Sequence, residues 1–197
     1  NHFSKLENNI QKGLAQKFDM TVGRSTVLMP FGGKYQLTEA PASVQKLPAR
    51  GFTKTASAMG VGYIPNLASY SPFLGGLYSV IEALARLVAT GTDYKGVRLT
   101  NQEFFERLDK NEEKWGKPTQ ALLGLVEAEL AMGVPSIGGK DSMSGSFEDK
   151  VHVPPTLVTF GINTVDVDHI ISPEFKEAGN KIYLVSLPMT ENYHPNY

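Results

Sequence analysis

The clearest indication of the fold is the stretch Ile137-Gly138-Gly139-Lys140-Asp141-Ser142-Met143-Ser144-Gly145, which the run Val-Pro-Pro-Thr-Leu-Val follows at positions 153 to 158. Paired glycines allow backbone N–H groups to converge on an anion, and the lysine adds a positive charge beside them. The hydroxyl groups of Ser142 and Ser144 can meet a phosphate or its metal ion. The local chemistry indicates either a phosphate or metal site, or a plain helix-to-strand turn whose side chains bond to their own backbone.

This stretch is not a Walker phosphate-binding loop. That motif has a glycine five residues before its Gly-Lys pair and a serine or threonine after the lysine. Val134 and Asp141 stand at those two positions here. The order is also reversed, because this loop leaves a predicted helix whereas a Walker loop enters one. The candidate residues for binding substrate or phosphate are Gly138, Gly139, Lys140, Asp141 and Ser142.

A capped helix is predicted from Pro72 to Gly91. Ser71 offers an N-cap hydroxyl, Pro72 suits the first helical position, and Gly91 suits the left-handed exit. Four apolar residues fall within about 60° of one another on the helical wheel. They are Leu77, Ile81, Leu84 and Val88, and they predict a stripe that faces the core, with Glu82 and Arg86 on the opposite side.

A second helix is predicted over residues 118–132, ended by Gly133 and Pro135. Its large apolar residues surround most of the circumference, which predicts burial on more than one side. They are Leu122, Leu123, Leu125, Val126 and Leu130.

The remaining elements are shorter. Apolar and β-branched runs predict strands at 26–29, 35–37, 53–58, 97–100, 156–163 and 181–187, and a short helix is predicted over 102–108. Leu6, Ile10 and Leu14 are spaced by four residues and predict one short helix that docks on the body of the protein. We therefore divide the chain into a leading helix at 1–17 and one domain at 18–197.

The composition excludes several classes of protein. The 197 residues carry 19 basic and 20 acidic side chains, so no concentrated positive charge favours nucleic acid as a partner. No apolar run approaches the roughly 18 residues that cross a bilayer, and a cytoplasmic location is predicted. The absence of cysteine excludes a disulfide scaffold, a thiolate zinc site and a cysteine nucleophile. Because residue 1 is not methionine, we interpret the chain as a piece of a longer protein.

Glu82 and Arg86 allow two interpretations. A carboxylate on the polar face of a helix can bind a metal ion. The alternative is an exposed ion pair across one helical turn, which contributes roughly 0.3–0.5 kcal/mol. The four histidines are isolated in sequence and form no metal-binding pair.

Together these residues resemble phosphoribosylformylglycinamidine synthase, most closely the second synthetase half of its large single-chain form. The resemblance rests on the Ile137–Gly145 stretch with the Val-Pro-Pro run after it. It extends over shorter segments at 55–59, 71–73, 82–84, 88–91 and 115–118, and so covers nearly all of the chain from about Tyr35 onward.

The resemblance implies an α+β fold, namely the N-terminal domain of the second aminoimidazole-ribonucleotide-synthetase-like copy. Such a domain has a mixed or antiparallel sheet packed by helices and forms half of a pairwise β barrel. It also implies ATP-dependent amidation of formylglycinamide ribonucleotide, with magnesium as cofactor and with ammonia from a cysteine glutaminase domain. This chain has no cysteine, so that domain is an implied partner, and the chain alone is expected to be inactive. An unpaired barrel edge predicts self-pairing.

The resemblance also assigns residues. Glu82 matches a metal-binding glutamate, but Arg86 stands where its asparagine partner is expected, and Ser43 stands at the position of a strand aspartate. This implies loss of the metal and nucleotide site in this copy. Gly139, Lys140 and Ser142 match a Gly-Asn-x-Ser loop that contacts ATP, magnesium and substrate, although a protonated lysine cannot bind a metal.

Two alternatives remain. One is a purely structural copy without ligand that supports the catalytic half of the enzyme. The other is a relative of the selenophosphate or thiamine-phosphate kinases, which the Lys-Asp-Ser-Met-Ser string and the absence of cysteine disfavour.

Overall fold

The computed structural model describes residues 4–17, 24–148 and 150–186. Its strands are β1 (Phe31–Gly32), β2 (Thr38–Glu39), β3 (Ala42–Lys46), β4 (Thr55–Gly62), β5 (Arg98–Phe104), β6 (Ser136–Ser142), β7 (Ser146–Phe147), β8 (Val151–His152) and β9 (Thr156–Asp166). Its α-helices are α1 (Lys12–Lys17), α2 (Pro65–Tyr70), α3 (Pro72–Ala89) and α4 (Glu112–Met132), and single 3-10 turns lie at Leu6–Asn8 and Val167–His169.

Five strands form the main sheet in the order β3-β4-β9-β5-β6. Neighbouring strands are antiparallel except for β5 and β6, which run parallel. A parallel pair needs a crossover connection, and α4 supplies it here. The predicted α+β fold with a mixed sheet packed by helices is therefore confirmed.

Helix α3 packs closely against the sheet and against α4, because glycines stand at the contact points. A Cβ atom added to Gly62 would lie 1.8 Å from the Ser79 carbonyl oxygen, and one added to Gly124 would lie 1.9 Å from that of Phe73. The core between these layers consists mainly of aliphatic side chains, among them Val44, Val80, Leu84, Leu87, Val97, Leu99, Leu125 and Leu157. Any residue larger than glycine at positions 62 and 124 would therefore prevent the close contacts of α3 with β4 and with α4.

The start of α3 is as predicted, but its buried stripe is different. The Ser71 hydroxyl accepts a hydrogen bond from the Leu74 amide at 3.3 Å, and Gly91 adopts a φ of +91° after the helix. The buried residues include Val80, Ala83, Leu84 and Leu87, whereas Val88 is 52% exposed. Small residues bring the helix axis close to the sheet and to α4, so alanine and glycine lie at the centre of the buried face. The prediction considered only large apolar residues and therefore missed these positions.

Helix α4 begins earlier than predicted and is buried on one side. The Asn111 carboxamide accepts hydrogen bonds from two amides of the first turn, and Pro118 lies inside the helix. The buried face is made of Pro118, Ala121, Gly124, Leu125 and Ala128. The prediction of burial on several sides was wrong, since Leu122, Leu123, Val126 and Leu130 are exposed.

The other predicted elements agree with the structure to different degrees. The strand predicted at 53–58 begins two residues before β4 and covers only its first half, whereas those at 97–100 and 156–163 lie largely or wholly in β5 and β9. Residues 26–29 contribute one isolated bridge, from Thr26 to Gln45, and the predicted strand at 35–37 is not formed, since residues 35 and 36 belong to a turn. Residues 102–104 continue β5 instead of starting a helix. Residues 181–186 form no strand and are exposed, while Leu187 lies outside the described residues.

The leading segment contains a 3-10 turn and α1 instead of one helix. Leu6, Ile10 and Leu14 are all exposed, so the predicted docking of their stripe is not seen among the described residues. Within the described part of the chain, α3 alone is long and apolar enough to satisfy a length and composition test for a membrane span. A core helix passes the same test, and α3 packs on the sheet and α4.

Candidate functional site

The predicted glycine-rich turn is an edge strand. Residues Ser136–Ser142 form β6, and its backbone pairs with β5. Glycine suits this position because a Cβ atom on Gly139 would lie 2.5 Å from the Asn101 carbonyl oxygen, whereas one on Gly138 would meet open space. The candidate residues are therefore held by a sheet ladder instead of by a loop that wraps an anion.

The register of β5 and β6 divides the five candidates between two faces of the sheet. Gly138, Lys140 and Ser142 pair with Thr100, Gln102 and Phe104, whereas Gly139 and Asp141 pair with Asn101 and Glu103. Successive side chains of a strand point to opposite faces. Lys140 and Ser142 therefore share one face, and Asp141 lies on the other.

Lys140 is positioned by an aromatic ring. Its Nζ atom lies 5.4 Å from the centre of the Phe104 ring, within the range of a cation–π contact. Ser142 is the paired residue of Phe104 and lies on the same face. This face of β6 thus presents a cation and a hydroxyl group together, which are the groups that an anionic ligand binds.

A pair of carboxyl groups lies on the opposite face. Glu103 is buried, and Asp141 is its paired residue on β6. Burial, followed by the like charge of Asp141, raises the pKa of Glu103 to about 7. Sequence analysis missed Glu103, because residues 102–108 were predicted to form a short helix. The available signal was its place in the alternation with Leu99 and Asn101.

Beyond β6, the β7–β8 hairpin adjoins a second charged cluster that sequence analysis also missed. The Glu106 carboxylate accepts hydrogen bonds from Lys117 at 2.5 Å and contacts Lys114 Nζ at 3.2 Å. These bonds outweigh burial and lower the pKa of Glu106. The Ser146 hydroxyl is 2.8 Å from Nδ1 of His152. No spacing in the sequence predicts this cluster, because its members come from three separate segments.

Glu82 is fully engaged by neighbours within the chain. Its Oε1 accepts from Arg86 Nη2 at 2.9 Å and from Arg86 Nε at 3.2 Å, and its Oε2 accepts from the Tyr63 amide at 2.8 Å. The described residues contain no group of three His, Cys, Asp or Glu side chains that could hold a metal ion. A fixed guanidinium charge beside the carboxylate disfavours a cation, so these residues do not fit the magnesium ion that the resemblance implies.

A cavity of about 350 Å³ brings together two of the positions assigned by resemblance. Ser43 and Arg86 both line it, along with Gln45, Met59 and Val61. The candidates on β6 do not reach this cavity. The structure thus separates the Glu82–Arg86 region from the β6 strand into two distinct surfaces.

Comparison with known proteins gives the following relatives. No known family profile matches the chain. Phosphoribosylformylglycinamidine synthase subunit PurL of Thermoplasma volcanium is 30% identical over 202 residues, covering 95% of this chain and 24% of that protein. The same subunit of Petrotoga mobilis is 26% identical over 177 residues, covering 89% of this chain and 22% of that protein.

Solved structures show the same similarity at the level of the fold. Thermotoga maritima PurL complexed with ADP has a TM-score of 0.67 and 19% identity, covering 87% of this chain and 26% of that chain. The same protein complexed with FGAR has a TM-score of 0.64 and 21% identity, covering 82% of this chain and 24% of that chain.

The fold defines the chain as an α+β domain with the fold of part of Thermotoga maritima PurL. The chain spans about a quarter of the length of the curated relatives it matches. Over most of its own length it is homologous to part of phosphoribosylformylglycinamidine synthase subunit PurL. The resemblance seen in the sequence is therefore confirmed.

Proposed function

We propose that this chain is a domain of an ATP-dependent amidoligase that converts formylglycinamide ribonucleotide to formylglycinamidine ribonucleotide in purine biosynthesis. The observation that carries the proposal is the homology to PurL across 95% of the chain. In this proposal the chain is the N-terminal domain of the second synthetase copy, with residues 1–17 leading into it. A cysteine glutaminase supplies ammonia from elsewhere, and the enzyme is cytoplasmic.

Within this function, Lys140 and Ser142 are the proposed contacts to substrate or phosphate. Both lie on the same face of β6, beside Phe104, and the lysine can meet a phosphate oxygen directly. Because Gly138 and Gly139 have no side chains and face opposite sides of the sheet, β6 leaves space on both faces at these two positions. Asp141 faces Glu103 on the other side of the sheet, so it contributes least to binding an anion.

Replacing Ser142 by alanine tests this assignment. We expect turnover of the complete enzyme with formylglycinamide ribonucleotide, ATP and ammonia to fall roughly tenfold or more, because a hydrogen bond to a charged group is lost. Ser69→Ala removes an exposed hydroxyl on α2 and serves as the matched control. Steady-state kinetics equal to those of the parent enzyme would contradict the role of Ser142.

A second candidate function is a structural copy that binds no nucleotide or metal. The pairing of Glu82 with Arg86 and with the Tyr63 amide favours it, since both carboxylate oxygens already accept hydrogen bonds and the guanidinium charge opposes a cation. Under this alternative the domain supports the catalytic copy through its fold alone.

Titration of the complete enzyme with ADP, with and without magnesium, tests whether Glu82 binds the metal ion. We expect Glu82→Gln to leave magnesium-dependent ADP affinity unchanged, because Arg86 already occupies the carboxylate. Calorimetry of the parent and the variant provides the measurement. A weakening of tenfold or more in the variant would show instead that Glu82 binds the metal.

A further inference from the structure

Glu103 is a buried acidic side chain that the proposed function does not use. It is 1% exposed, and neither of its carboxylate oxygens has a hydrogen-bond partner within the described part of the chain. An ionised carboxylate buried without a donor is unstable in a protein interior. The negative charge of Glu103 must therefore be removed or compensated when the chain is folded.

The neighbours of Glu103 lie on β5, β6 and β9, and α4 is connected to them through Ser136. On β6, Asp141 occupies the paired position, while Lys140 lies over the Phe104 ring on the other face. On β9 the paired residue is the uncharged Leu157. On β5 the neighbouring residue of the same face is Asn101, whose amide nitrogen donates to Ser136. On α4, Glu129 accepts a hydrogen bond from the same Ser136 hydroxyl.

This arrangement offers no cation to Glu103 from the described residues. Asp141 is the charged group that acts on it, and its charge has the same sign. Two ionised carboxylates can only accept hydrogen bonds, so the pair forms a hydrogen bond only when one member carries a proton. Glu103 is buried next to the like charge of the exposed Asp141, and both burial and that charge favour the protonated form of Glu103.

We infer that Glu103 keeps its proton in the folded chain up to about neutral pH, and that this proton stabilises the pairing of the exposed edge strand β6 with β5. When the proton is lost, two like charges face each other across the only pairing that holds β6 in the sheet of the described residues. The pair thus makes the position of β6 sensitive to pH. The inference rests on the burial of Glu103 and on its strand pairing with Asp141, and it does not require that β6 binds a ligand.

The pKa of about 7 for Glu103 sets the pH range of this effect. A carboxyl group in the unfolded chain titrates near 4.5, so between these two values the folded chain binds more protons than the unfolded chain. Stability that depends on the proton is then fully present below about pH 4.5, and it is lost as the pH rises toward 7 and above. This direction is opposite to that of a carboxylate held by a salt bridge.

The first test compares urea unfolding of the parent chain and of Glu103→Gln between pH 5 and pH 8. The glutamine keeps the shape of the side chain and cannot ionise. We expect the unfolding equilibrium constant of the parent to increase on the order of a hundredfold across this range relative to the variant. Glu127→Gln removes an exposed carboxylate from α4 and should follow the parent curve. Identical pH dependence in the parent and in Glu103→Gln would overturn the inference.

The second test needs no substitution. Carbon-detected NMR of the parent chain follows the carboxyl carbon of Glu103 as the pH is raised. We expect its signal to change in a step near neutral pH, and amide hydrogen exchange of β6, corrected for its intrinsic pH dependence, to accelerate over the same step. A Glu103 carboxyl that titrates near 4.5, or a β6 strand whose protection is independent of pH, would show that Glu103 does not hold a proton that stabilises β6.

Discussion

Glu106 shows how one residue connects three segments that are distant in sequence. Its carboxylate is nearly buried and holds Lys117 and Lys114 of α4, while His152 of the β7–β8 hairpin lies 3.9 Å away. Hydrogen bonding to Lys117 is the main cause of its lowered pKa, followed by burial, which acts in the opposite direction. The residue therefore fixes the start of α4 relative to the segment that follows β5.

Replacing Glu106 by glutamine should destabilise the chain in a pH-dependent manner. Because its folded-state pKa lies below that of the unfolded chain, the stabilisation is present above about pH 4.5 and is lost as the pH falls further. We expect Glu106→Gln to unfold at lower urea concentration than the parent at pH 7 and to approach the parent below pH 4. Unfolding curves at several pH values measure this, with Glu127→Gln as control. A difference that stays constant with pH would contradict the ion-pair explanation.

The elements of the fold differ in how far the sequence predicts them. Ser71 and Pro72 define the start of α3 through local hydrogen bonding and a fixed φ angle, so this boundary is predictable. The start of α4 is not, since Pro118 resembles a first helical residue, yet Asn111 caps the helix seven residues earlier. Local chemistry predicts a boundary only when a single capping signal is present.

Burial and the candidate site depend on contacts that the sequence does not show. Helix α4 turns Ala121, Gly124 and Ala128 toward α3 and leaves Leu130 79% exposed, because small residues allow the closer approach. The residues of β6 were recognised as a candidate site from their chemistry, but their strand conformation was not. Pairing with β5 decides that conformation, and it depends on residues about 40 positions away.

Two glycines of α4 provide a matched pair for testing the contact between α3 and α4. Gly124→Ala places a Cβ atom 1.9 Å from the Phe73 carbonyl oxygen, whereas Gly116→Ala places it in open space. We expect Gly124→Ala to lower the free energy of unfolding by about 1–3 kcal/mol or more. Gly116→Ala should raise it by up to about 1 kcal/mol, since alanine favours the helix. Thermal and urea unfolding measure both, and equal effects would contradict the close approach of the helices.

At the scale of the whole molecule, the two outer edges of the main sheet differ in whether another segment forms hydrogen bonds with them. The outer edge of β3 is bonded by the preceding segment, with Val27 N donating to Val44 O at 2.9 Å and Lys46 N donating to Ser25 O at 2.8 Å. Among residues 4–17, 24–148 and 150–186, no strand pairs with the outer edge of β6. An unpaired edge is a template for another strand, in line with the predicted self-pairing.

A charged residue on this edge should reduce self-association. Ile137 lies on β6 and is 68% exposed, and a lysine at an edge position opposes strand addition. We expect the parent chain to associate with increasing concentration in sedimentation experiments and Ile137→Lys to do so at least severalfold more weakly. Val88→Lys adds the same charge on α3, away from the edge, as a control. A parent chain that stays monomeric at all concentrations would contradict the role of the edge.

The central position of β9 has a consequence for synthesis of the chain on the ribosome. This strand is the last of the sheet in sequence, yet it joins β4 to β5, and its partners include residues more than 100 positions earlier. Until Asp166 has emerged from the exit tunnel, the β3–β4 and β5–β6 pairs cannot be united, and their inner edges stay open. Chaperones that bind exposed strands would therefore act before release of this segment, and truncation ahead of Thr156 would yield two half-sheets instead of one folded domain.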